Sequence, residues 1–213
     1  MTAIASPPPP EAAPAANRPT AAETPSPHRF GSGDYLAMIE AGVIAEDAKV
    51  ELIDGLVVTK IGKGDFHNAV MCVLAQLLVP RVPSGWTVRI KMPVRLDGSV
   101  PEPDVCIVSG TVRDHLRQPP APDAVVAAIE VADSSLTYDR TTKAAVYAAA
   151  GIADYLIVDL PGRRLLRHSQ PSETGYGRVD TVERFDLMLG PTTVVLEAAA
   201  LFDQALGPAS TDD

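Results

Sequence analysis

Between residues 29 and 206 the apolar positions follow two rhythms, one near 3.6 residues and one near 2, and the two alternate along the chain. Ser32 or Asp34 caps a short helix carrying Tyr35, Leu36, Ile39 and Ala41, which stops at Gly42. Val50-Glu51-Leu52-Ile53 and Leu56-Val57-Val58 flank Asp54-Gly55, a dipeptide that predicts a tight hairpin. Asp65 caps a longer helix with Phe66, Ala69, Val70, Val73, Leu74, Leu77 and Leu78 on its apolar face. From Trp86 to Leu96, Val88, Ile90 and Met92 alternate with Arg89 and Lys91, as in a strand with one wet face. The runs Val105 to Val108, Ala124 to Val131 and Tyr155 to Val158 are continuously apolar, the mark of strands buried on both sides. Thr141 to Ala150 predicts an Ala-rich helix stopped by Gly151. Arg164 to Ser169 and Thr193 to Leu196 predict two further strands before a closing helix, Ala199 to Leu206. The expected architecture is α/β, a mixed central β-sheet flanked by helices.

The ends lie outside this pattern. Residues 1–28 are dominated by Pro, Ala, Ser and Thr, include the run Pro7 to Pro10, and lack any apolar period. Such a segment buries too little surface to offset its ordering entropy, so a disordered tail is expected. Residues 207–213 have a similar character. The 213-residue length allows one domain, and 46% apolar residues suffice for a core without staples. Cys72 and Cys106 both sit in apolar runs, which argues against a disulfide framework. No stretch reaches the ~18 apolar residues of a membrane span, and no basic-then-apolar leader is visible. A cytoplasmic protein without membrane association is expected. The net charge of −9 excludes a general polyanion binder, because unselective nucleic-acid affinity comes from cationic neutralisation of phosphates.

Two acids interrupt the buried strands. Asp104 follows Pro101-Glu102-Pro103 at the start of one, and Glu130 lies inside another with apolar neighbours on both sides. A carboxylate there is costly unless it is paired, hydrogen-bonded or bound to a cation. Taken alone, Asp104 is explained by a loop cap or an ion pair, whereas Glu130 points to function. Two such acids on neighbouring strands would hold a hard divalent ion. Lys143 stands four residues after Asp139, a spacing that by itself gives a solvent-facing helix pair. Beside Glu130 it has a second use, orienting an attacking water and stabilising phosphate charge. Glu51 has no local task in its hairpin. His67, at the start of the second helix, is expected to be a neutral surface histidine. No Cys/His cluster suggests zinc, and no phosphate-binding glycine loop or G-x-S-x-G elbow is present.

The ordered series Glu51-Leu52-Ile53-Asp54-Gly55, His67, Pro103-Asp104-Val105, Glu130-Val131 and Lys143-x3-Tyr147-x3-Gly151-Ile152-x-Asp154-Tyr155 resembles the Uma2 family within the PD-(D/E)XK nuclease superfamily. The resemblance runs from about Tyr35 to Arg167. It implies a restriction-endonuclease-like core, with Asp104 and Glu130 as metal-binding acids and a backbone carbonyl near Val131 as a further ligand. The superfamily's lysine two residues after the second acid is replaced here by Ala132, and the resemblance moves that role to Lys143. Glu51 would be the early acid of the site. The implied cofactor is Mg2+ or Mn2+. The implied partner is nucleic acid, double-stranded DNA above all, met by a homodimer.

The implied activity is metal-dependent hydrolysis of phosphodiester bonds by an endonuclease. Two alternatives come from other classes. The net charge and Asp133 beside the second acid suit a nuclease fold that binds without cleaving. A glycosidase would need an acid pair that works without Lys143 or metal. For the domain boundaries, limited proteolysis is expected to trim residues 1 to about 28 and leave a stable core of about 180 residues. A protease-resistant tail would contradict that boundary.

Overall fold

The computed structural model describes residues 25–45 and 47–208. Most of the tail at 1–28, and residues 209–213 of the C-terminal end, lie outside them. The first helix, α1 (Ser32–Glu40), precedes the hairpin β1 (Val50–Ile53) and β2 (Leu56–Thr59), and then α2 (Asp65–Leu78). Next come β3 (Trp86–Ile90), β4 (Val105–Ser109) and β5 (Val125–Ala132). A helical crossover consists of α3 (Leu136–Tyr138), a π-type segment (Asp139–Lys143) and α4 (Ala144–Ala149). The chain continues through β6 (Asp154–Asp159), β7 (Arg164–Ser172), β8 (Gly175–Val182), β9 (Arg184–Leu189) and β10 (Thr192–Glu197) to α5 (Ala198–Leu206).

Six strands form the central sheet in the order β3-β4-β5-β6-β7-β8. Only β5 and β6 pair in parallel, because only they are joined by a helical crossover; the other neighbours pair antiparallel. The period of 2 along β5 divides its side chains between the faces. Ile129 and Val131 meet Val70 and Leu74 of α2, Leu201 and Phe202 of α5, and the apolar side of the β9–β10 hairpin. Ala128 and Ala132 face the other way, against Tyr147 of α4 and Tyr155 and Ile157 of β6. Both faces are therefore covered, which explains the continuous apolar runs of β4, β5 and β6.

The β1–β2 hairpin stands apart from this sheet but is fastened to it. Val100 N–H donates to the Leu52 carbonyl at 2.8 Å, and Gly55 N–H donates to the Gly98 carbonyl at 2.6 Å. Asp54 (φ 48°) and Gly55 (φ 73°) form its left-handed turn, as the Asp-Gly pair predicts. The segment after β3 thus carries the hairpin to the end of β4, and Glu51 with it.

Several expected elements take a different form. The strand expected over Trp86 to Leu96 ends at Ile90, where Lys91 adopts φ 49° and Pro93 lacks a donor for a ladder. Helical backbone begins at Leu136 rather than Thr141. Helix α1 is capped from Gly31, whose N–H donates to Asp34, and α2 begins after Gly64 without a side-chain cap. Phe66, expected on the apolar face of α2, is 68% exposed, and Met71 is buried instead. Strands β8 and β9 are additions. The first is a largely solvated edge, rich in Gly, Arg, Asp and Thr. No helix among the described residues is long and apolar enough to cross a membrane.

Leu156 is fully buried at the middle of β6 among Ile129, Val158 and their neighbours. Leu156→Ala is expected to lower unfolding free energy by about 2–5 kcal/mol, read as a shift of the urea midpoint with an unchanged slope. A shift near zero would show that this face of the sheet is not close-packed.

Candidate active site

The acids meet because of strand register. Val105 of β4 lies opposite Ile129 of β5, so Asp104 and Glu130, the next residue on each strand, flank each other at one end of the pair. Pro103 and Pro101, without N–H groups, keep the approach to Asp104 out of the ladder. Both acids are buried.

Their environments differ. Asp104 receives three hydrogen bonds, all on Oδ2: from Val131 N–H at 2.9 Å, from His67 Nε2 at 3.0 Å and from Lys63 Nζ at 3.2 Å. Burial raises its pKa, but the His67 hydrogen bond and the Lys63 charge outweigh burial and hold it far below the usual carboxylate range. Glu130 receives Lys143 Nζ at 2.8 Å and the Tyr147 hydroxyl at 3.0 Å, both on Oε1. Its Oε2 is buried without a partner. Burial pushes the Glu130 carboxyl up to about 8, against the pull of Lys143. For Lys143 itself, burial disfavours the charge, but Glu130 and Glu51 more than offset that and hold the group above the ordinary lysine value. Glu51 Oε2 stands 3.6 Å from the ammonium and accepts the Glu102 N–H at 3.2 Å. One lysine therefore serves two buried acids from different parts of the chain.

The crossover aims that lysine. Ser135 Oγ donates to Asp139 Oδ2 at 2.6 Å, and Tyr155 Oη donates to the Asp139 carbonyl at 3.0 Å. These bonds anchor the π-type segment against the sheet, a backbone variant that recurs at functional sites. Asp139 and Lys143 are both buried, not the solvent-facing pair that their spacing suggests. Burial raises the Asp139 pKa. His67 corrects a second expectation. It is not on the surface but fully buried on the inner side of α2, bound to Asp104. The missed signal was its place one helical turn ahead of Val70 and Met71. Tyr147 was also missed as a partner of Glu130. Its spacing of four from Lys143 puts both on one helix face.

A cleft of about 330 Å³ opens over these groups. Asp104, Glu130, Glu51 and Lys143 lie in it, with Asp139 and Tyr138, and Lys49, Lys60, Lys63 and Lys91 contribute to its walls. The Tyr138 hydroxyl is buried without a partner. Lys60 pairs with Glu102 at 2.5 Å. Arg89, expected on the wet face of its strand, is buried and bonds the Pro93 carbonyl instead. Among the described residues, no three His, Cys, Asp or Glu side chains close into a ready-made metal-ligand set. What the site offers a cation is the pair Asp104 and Glu130. The fit rests on the unpartnered Glu130 Oε2, and Asp104 Oδ1 is left over by the three bonds on Oδ2. Val131 contributes its N–H to Asp104.

A mixed sheet with acids at the ends of two adjacent strands, and a lysine delivered by the helix between parallel strands, defines a nuclease-type α/β domain. The sequence profile of the Uma2 family, described as "Putative restriction endonuclease", matches residues 33–200. The chain belongs to this family. Among solved structures, it is similar to a crystal structure described as a "putative nuclease belonging to DUF820" from Anabaena variabilis ATCC 29413. That likeness has a TM-score of 0.53 and 13% sequence identity, covering 83% of this chain and 99% of the other. At that identity it speaks for the fold. No curated protein matches the sequence.

Removing one member of a buried ion pair leaves the other uncompensated. Lys143→Met is expected to cost about 3–5 kcal/mol of stability, whereas Lys143→Met with Glu130→Met costs less than the single change. Urea unfolding of the two variants and the parent checks this. Additive losses would mean that the two groups are not energetically coupled.

Proposed function

We propose that this chain is a metal-dependent endonuclease that hydrolyses phosphodiester bonds in DNA. The observation that carries the reading is the unpartnered Oε2 of Glu130, beside Asp104 and open to no protein donor. An acceptor sealed in that way has a strong unmet demand for a cation. Asp104 and Glu130 would hold Mg2+ or Mn2+, with the Val131 carbonyl as a further ligand and Glu51 as the acid available to a second ion. When bound, the ion supplies Lewis acidity and lowers the pKa of a coordinated water.

The chain's own groups do the remaining work. Lys143 projects its ammonium into the cleft, where it orients the attacking water and stabilises charge on the phosphate in the transition state. Glu51 and Glu130 keep that ammonium charged and in place. Tyr147, fully buried, donates to Glu130 Oε1 alongside Lys143 and leaves Oε2 unpartnered. Lys49, Lys60, Lys63 and Lys91 supply local positive charge to a chain of net charge −9, and they contact the backbone phosphates of the substrate. A double-strand cut requires two such clefts, so a homodimer belongs to this reading. One observation favours the rival reading, a fold that binds nucleic acid without cutting it. The Lys143 ammonium already sits on Glu130 at 2.8 Å, where it neutralises the acid.

The test incubates the chain with DNA and RNA substrates, with and without Mg2+ or Mn2+. Cleavage of DNA only in the presence of metal is expected. Glu130→Ala and Asp104→Ala abolish it, and Lys143→Ala slows it by about 10²-fold or more. Binding weakens steeply as salt rises. An inactive parent that still binds DNA would establish the rival reading. A lysine variant as fast as the parent would remove Lys143 from the mechanism.

A further inference from the structure

His67 lies outside the groups that this mechanism uses, yet its surroundings are unusual for a core residue. The ring is fully buried in the first turn of α2, next to Val70 and Met71 on the inward side of the helix. Its Nδ1 has no partner, so the single polar contact of the side chain is Nε2 to Asp104 Oδ2 at 3.0 Å. A leucine or methionine would fill the site without an unmet acceptor. The imidazole is therefore explained by its one bond rather than by packing.

That bond has a defined direction. Asp104 is held as a carboxylate and can only accept, so His67 Nε2 carries the hydrogen. Val131 N–H and Lys63 Nζ converge on the same oxygen. The three donors are not equivalent. Lys63 belongs to the exposed segment before α2 and is partly solvated, whereas His67 is fixed in a packed helix. Val131 N–H sets the plane of the β5 edge, and His67 approaches from the α2 side. With both on Oδ2, the carboxylate cannot rotate without breaking the two rigid bonds together.

We infer that His67 is a positioning residue that locks Asp104 through Oδ2 and thereby presents Oδ1 to a divalent cation. The inference rests on the proposed reading of the cleft as a metal site. Partners of this outer kind are worth about 10–100-fold in metal affinity.

The test titrates Mn2+ into the full chain by calorimetry, without substrate. His67→Phe keeps an aromatic ring in the buried site and removes the donor, whereas His67→Gln keeps an N–H within reach of Asp104. Expected is a loss of Mn2+ affinity of about 10–100-fold for His67→Phe, with His67→Gln close to the parent. Circular dichroism confirms folding, and His67→Met takes the place of His67→Phe should the latter not fold. A folded apolar variant that binds Mn2+ like the parent overturns the inference and leaves the metal site standing. A glutamine variant as weak as the phenylalanine one also overturns it, since the ring rather than the donor would then matter. A parent that binds no Mn2+ overturns the metal reading and this inference with it.

Discussion

Glu130 is a carboxyl group placed inside a strand that both faces of the domain bury, and much of the surrounding structure is the answer to that placement. A bare carboxylate there would cost several kcal/mol. Its Oε1 is met by an ammonium and a phenol from the same helix face, Lys143 and Tyr147. The small side chains Ala128 and Ala132 on either side leave room for that helix to approach. The parallel pairing of β5 and β6 is the topological condition for all of this, because it requires a helical connection over the face on which Glu130 points. The fold thus brings the lysine to the acid by the shortest route that the chain allows.

The second acid of Lys143 arrives by a longer route. Glu51 belongs to a hairpin outside the main sheet and reaches the cleft only because the segment after β3 binds that hairpin through Leu52 and Gly55. The same segment departs from the ladder at Lys91 and returns at Asp104, so the interruption of the strand and the assembly of the site are one event. The early helix α2 closes the other side, with His67 on Asp104. The hairpin contributes Glu51 to the cleft and the crossover contributes Tyr138, Asp139 and Lys143, while the helix acts on it through the His67 bond to Asp104.

This distribution explains what could be read in advance. The central strands were legible because burial on both faces leaves uninterrupted apolar runs, and Asp104 and Glu130 were legible because they break those runs. The edge strand β8 was not, since a solvated edge carries polar residues and loses the signal that marks its neighbours. Strand β9 did carry one: Phe185, Leu187 and Leu189 alternate with Arg184, Asp186 and Met188, and its inner side is buried. Lys143 was accessible as a candidate only through its company, because Asp139 four residues earlier offered it a plain surface role. Nothing in the local pattern indicates that the segment winds as a π-type turn anchored by Ser135 and Tyr155. The burial of His67 follows from its helical phase, whereas its bond to Asp104 depends on tertiary packing that no single segment encodes.

The two strand-borne acids are driven apart in character by the same neighbourhood. Asp104 collects a backbone N–H, an imidazole N–H and an ammonium, and it remains ionised well into acid. Glu130, more deeply sealed, is pushed up to about 8 by burial even with Lys143 beside it. Two adjacent carboxylates in equal environments would repel each other and open the strand ends. Unequal environments ease that conflict, since three donors stabilise Asp104 as a carboxylate while the Lys143 ammonium offsets Glu130. The cost of the arrangement falls on Glu130 Oε2, which has no protein donor. The site gives donors to Asp104 Oδ2 and Glu130 Oε1 and leaves Asp104 Oδ1 and Glu130 Oε2 without any, and the proposed metal reading rests on those two oxygens.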